Sequence, residues 1–112
     1  MPSHRVHQLN DLVRDSVSEI LLKKVNADFF RLLTVTRVVT APDLSIARVF
    51  ISLPDGKFPQ FQEWLKREIF HIQGEFNKGV SLRKLPKLVF VEDTTGDYVD
   101  KIDALLRKAR EG

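Results

Sequence analysis

The sequence predicts an α+β fold: a three-stranded sheet with helices packed on one face. Three observations carry this. Apolar residues recur at spacings of three and four over His4–Val25 and again from Phe61 to Phe76, the mark of amphipathic helices. Two runs rich in β-branched residues, Leu32–Thr40 and Ser45–Leu53, are joined by a connection short enough to make them an antiparallel hairpin. A third apolar run, Leu88–Val91, follows a helical crossover and can therefore lie parallel to one hairpin strand. The expected order is helix, strand, strand, helix (broken near its end), strand, helix. At 112 residues, one domain spanning 1–112 is expected.

In the first helix Val6, Leu9, Val13, Val17, Ile20 and Leu21 form the buried stripe. Ser3 is placed to cap it, and Lys23 and Lys24 fall in the last turn, where cations suit the negative end of the helix dipole. His4 and His7 share a face, but no further metal ligand accompanies them. Between the hairpin strands, Pro42 fixes φ and Asp43 can bond to nearby backbone. In the second strand Ala47, Val49, Ile51 and Leu53 share one face and Arg48 and Ser52 the other. Phe50 falls on that more polar face, where its ring could serve as a stacking platform. Asp55-Gly56 is a turn, and Pro59 suits a helix first turn. The second helix carries the stripe Phe61, Leu65, Ile69, Ile72 and Phe76, with Trp64 at its flank. Gly74 and Gly79 each weaken a helix interior by roughly 1 kcal/mol against Ala, so a bend or break is expected there. Leu88–Val91 reads as a strand buried on both faces or at the centre of the sheet. Thr94–Asp97 is a turn, and Val99, Ile102, Leu105, Leu106 and Ala109 mark a last helix.

Positive charge is concentrated in one place. Lys78, Arg83, Lys84 and Lys87 fall in a stretch where no Asp or Glu occurs between Glu75 and Glu92, leading through Pro86 into the third strand. The formal net charge of +3 permits a polyanionic partner without demanding one. With no cysteine in the chain, disulfides, thiolate metal sites and a cysteine nucleophile are excluded. No Gly-rich phosphate loop or paired catalytic constellation is present, and the three aspartates of the last helix lack the loop of a calcium site. No apolar run is long enough to act as a signal peptide or to span a membrane. A soluble cytoplasmic protein that is not an enzyme and needs no cofactor is expected.

Three blocks carry a resemblance. They are LTVTRVVTAPDLSIARVFISL (Leu33–Leu53), LRKLPKLVFVED (Leu82–Asp93), and Asp93-x-Thr95 followed after six residues by Ile102-x-x-Leu105-Leu106. In this order and spacing they resemble the bacterial ribosome-binding factor A family over essentially the whole chain. The resemblance implies a KH-like fold of type II topology without a GXXG loop, and none of Gly74, Gly79 or Gly96 forms one here. It also implies association with the free small ribosomal subunit and its rRNA, late small-subunit maturation, processing of the rRNA 5′ end and a role in cold adaptation. The sequence departs from the family pattern in two places. Asn26–Arg31 replaces the usual Asp-Pro-Arg, and Glu68-Ile69-Phe70 stands where the family bends its middle helices at Ala-x-Gly. The long basic tail of some members is also missing.

These readings make an RNA-binding assembly factor the leading expectation, acting as a monomer on the small subunit and not at a membrane. Lys78, Arg83, Lys84 and Lys87 are the expected RNA-contact cluster, with Arg5 and Lys24 as outlying contacts. Cations on phosphates would supply most of the affinity and make it salt-sensitive, and A-form RNA would be read mainly by shape. The competing expectation is a protein-interaction module that uses an apolar patch of Phe58, Trp64 or Phe50.

Overall fold

Val13, Val17, Ile20 and Leu21 recur on one side of the first helix, and all four are buried. That stripe holds α1 (His4–Lys24) against the sheet. In the computed structural model the described residues are 4–25, 32–54, 56–95, 105–107 and 109, with side chains described from His7 onward. The expected Ser3 cap, residues 26–31 and most of the expected last helix fall outside them. Leu105, Leu106 and Arg107 are helical.

The hairpin pairs β1 (Thr34–Thr40) with β2 (Ile46–Ser52) antiparallel, with a register shift between Val35 and Arg37. Its turn closes through Leu44 N–H donating to the Ala41 carbonyl at 2.9 Å and Ala41 N–H donating to the Ile46 carbonyl at 2.9 Å. Leu44 takes a left-handed conformation at φ 62°, a strained position for a side chain with a Cβ. β3 (Lys87–Glu92) runs parallel to β2, so the sheet order is β1-β2-β3. This revises the placement of the Leu88–Val91 run. β2 is the central strand and β3 an edge, with Leu88 its one buried residue among four apolar ones. The parallel crossover sets β3 beside β2 and leaves Val89 and Val91 on the sheet face away from the helices, in register with Arg48 and Phe50.

α2 (Phe58–Gly79) runs unbroken through Gly74 and ends at Gly79, where Val80 turns extended. The break expected at Gly74 does not occur. Ile72 and Phe76 flank that glycine and are fully buried. Their burial, at about 1.5–3 kcal/mol for each large apolar side chain, outweighs the roughly 1 kcal/mol penalty of one glycine. Pro59 lies in the first turn, as expected. Phe61, Ile72 and Phe76 are buried, with Leu65 and Trp64 packed against them at the margin. They meet the α1 stripe and Val38, Ala47, Val49, Ile51 and Leu88 of the sheet to form one core. Both described helices thus cover a single sheet face.

Candidate nucleic-acid interface

The basic segment is the connection between α2 and β3, and its two ends are tied down by different means. On the helix side Gln73 reads the backbone of the strand entry. Its Oε1 accepts from Leu88 N–H at 2.9 Å, while its Nε2 donates to the Pro86 carbonyl at 3.1 Å and to Asn77 Oδ1 at 3.0 Å. An amide donor and a carbonyl acceptor in fixed places permit one amide orientation only. On the sheet side Lys84 Nζ donates to the Asp43 carbonyl at 3.1 Å, tethering the segment to the hairpin turn. That turn is itself organised: Asp43 Oδ1 accepts from Ser45 Oγ at 2.6 Å and Ser45 N–H at 3.1 Å. The Ser45 hydroxyl above all, followed by its amide, holds the Asp43 carboxyl below its usual range, and nearby Lys84 adds to this.

The structure sorts the six expected contact residues. Lys78 at the end of α2, Arg83 and Lys84 in the connection, and Lys87 at the start of β3 are all exposed. They follow one another from the end of α2 through the connection to the start of β3. Lys84 is partly committed, since its ammonium holds the turn. Lys24 stands apart. Its side chain is 22% exposed and its ammonium lies 3.3 Å from Glu75, bridging α1 to α2; an ammonium engaged this way is a helix–helix link first. Arg5 lies in the first turn of α1, with its side chain outside the described residues.

The apolar patch named for a protein-interaction module does not form as such. Phe58 is buried, 5.9 Å from Phe61. Trp64 stacks on Phe61 at 5.7 Å and packs against the core. Phe50 is half-buried on the open sheet face with the Arg37 guanidinium 4.1 Å from its ring centroid, so that face of the ring is already covered by a cation. Among the described residues the aromatic that does stand out is Phe70, 82% exposed on α2. Its position beside the stripe residue Ile69, on a side of the helix that is otherwise polar, was the available signal. No sequence signal marks Gln73, whose role depends on a strand entry 13 to 15 residues away.

Among the described residues there is no group of three or more His, Asp or Glu placed to hold a metal ion, and no helix long and apolar enough to cross a membrane. What the surface offers is a set of exposed cations on and around a tethered connection, one of which, Lys87, lines a groove with the exposed Phe70 ring.

Comparison with known proteins agrees with the resemblance in the sequence. A family model described as "Ribosome-binding factor A" matches residues 5–106. A ribosome-binding factor A of Streptococcus equi subsp. zooepidemicus is 33% identical over 111 residues, covering 96% of each chain. The crystal structure of ribosome-binding factor A from Thermus thermophilus superposes with a TM-score of 0.67 at 21% identity, covering 78% of this chain and 93% of that one. A Thermus thermophilus homology model fitted into a cryo-electron microscopy map of a complex of the 30S subunit with that factor gives 0.57 at 20% identity, covering 81% and 93%. At these identities the structural likeness establishes the shared fold.

Proposed function

We propose that this chain, which belongs to the ribosome-binding factor A family, binds the free small ribosomal subunit through its rRNA. In this reading it acts in late maturation of that subunit, assists processing of the rRNA 5′ end and supports growth in the cold. It works as a cytoplasmic monomer by binding, not by catalysis. The observation that carries the reading is the acid-free run Lys78–Lys87, whose four cations are exposed and whose connection is tied at its ends by Gln73 and by the Lys84 tether. A connection whose backbone is already tied down does not have to order itself on meeting phosphates, which lowers the entropic penalty of association. The fitting of a structurally similar factor into a map of a 30S complex supports the choice of partner.

Co-sedimentation of the purified chain with separated small and large subunits, repeated across a salt series, tests this. The expected result is binding to the small subunit alone, weakening steeply with salt. A folded chain that sediments with neither subunit would overturn the proposal.

A further inference from the structure

We propose that the groove between α2 and the basic connection takes an unpaired base of single-stranded RNA, stacked on Phe70, with the flanking phosphates on Lys87 and its neighbouring cations. The inference rests on the RNA-binding part of the function proposed above and adds the class of RNA and the residue that grips it.

The groove has a volume of about 440 Å³, and its lining includes Ile69, Phe70, Gln73, Leu85, Lys87 and Leu88. That lies within the roughly 300–1,000 Å³ typical of small-molecule sites. Its floor is apolar, and Phe70 and Leu85 are 82% and 40% exposed. An apolar ring left this open on α2 contributes little to the core, and here it shares a groove with Leu85, Leu88 and Lys87. The His71 ring packs near that of Phe70, 5.9 Å away at 82°, yet with 82% of Phe70 exposed most of the Phe70 ring stays open to solvent. Gln73 and Asn77 line one wall. Gln73 is occupied by Leu88, Pro86 and Asn77, so Asn77, whose Nδ2 is not used in that set, is the side chain placed to donate to a base edge.

Charge selects the occupant. Lys87 is the cation that lines the groove, and Lys84, Arg83 and Lys78 precede Lys87 in the same acid-free stretch of the chain. Among the described residues no carboxylate lines the groove. A ring face beside a row of cations is the combination that holds single-stranded nucleic acid, where stacking grips the base and cations follow the backbone. A duplex keeps its bases stacked inside and cannot offer one to Phe70, so the ligand is single-stranded.

The test is fluorescence anisotropy with two labelled RNA octamers of equal length and charge: a single-stranded adenylate octamer, and one whose central bases are removed. The wild-type chain should prefer the base-bearing octamer about tenfold. Phe70→Leu, apolar but not aromatic, should reduce that preference to less than about twofold, and Phe70→Trp should keep it. Arg83→Ala should weaken both octamers by the same factor. Because Phe70 is exposed, the Leu variant should melt like the wild type. Equal affinity of the wild type for both octamers would overturn the stacking, as would a Phe70→Leu variant that keeps the preference. A wild type that co-sediments with the small subunit yet binds neither octamer would overturn it too, pointing to a ribosomal protein as the occupant of the groove. A base preference without small-subunit binding would instead leave this inference standing and remove the subunit from the proposed function.

Discussion

Asp93 shows how one side chain can set a pH limit on the fold. It follows β3, and its carboxylate accepts from the Thr36 hydroxyl at 2.5 Å and from Thr95 N–H at 2.9 Å. The Thr36 hydroxyl is the main cause, with Thr95 next, of a carboxyl held down to about 2 from an ordinary 3.8. A depressed folded pKa contributes stability that is fully present above the unfolded value and is lost as pH falls toward the folded one. Between about pH 4 and pH 2 the unfolded chain takes up the proton first, so acid favours unfolding in that window. Asp93→Asn should lower stability near neutral pH by about 1 kcal/mol, the net worth of a typical hydrogen bond. The difference between wild type and variant in urea unfolding should be constant from neutral pH to about 4 and shrink toward about 2. A difference that does not change with pH would mean that the ionised form is not what Thr36 holds.

At the scale of the element, α2 shows both what periodicity predicts and where it stops. The four-four-three-four stripe from Phe61 to Phe76 placed the helix and its buried side from spacing alone. The same spacing could not weigh a glycine against its neighbours, and Gly74 was expected to break a helix that its flanking core residues hold straight through. Nothing lies within 4 Å of where a Cβ at Gly74 would sit, so Gly74→Ala meets no obstacle. It should raise stability by roughly 0.5–1 kcal/mol through lower backbone entropy in the unfolded chain, a gain of a few degrees in thermal midpoint. Failure to gain stability would mean that α2 bends at Gly74 in solution. The β3 run misled for a related reason. Four consecutive apolar residues suit a strand buried on both faces, but they equally suit an edge strand whose outer residues lie on an open sheet face. Only pairing with β2 distinguishes the two.

For the molecule as a whole, the question is which cations are free to meet a polyanion. Their positions were legible, since an acid-free run between Glu75 and Glu92 can be read directly. Their engagements were not, because Lys84 with the Asp43 carbonyl and Lys24 with Glu75 are contacts between residues distant in the chain, which no local pattern encodes. These engagements separate two classes of variant. Removing one phosphate-contacting cation should lower the slope of log affinity against log salt by roughly 0.7–0.9. Arg83→Ala and Lys87→Ala remove exposed cations and leave the turn tether intact, so the double variant should lose roughly one to two units of slope in small-subunit binding while unfolding at the wild-type midpoint. Lys24→Ala should behave in the opposite way. Its slope should stay near that of the wild type, while stability falls by up to about 1 kcal/mol, as for a partly exposed ion pair. The two readouts cross: loss of slope without loss of stability marks an interface cation, and the reverse marks a link within the fold. If Lys24→Ala lowers the slope as Arg83→Ala does, the Glu75 bridge opens on the subunit and α1 belongs to the RNA-binding surface.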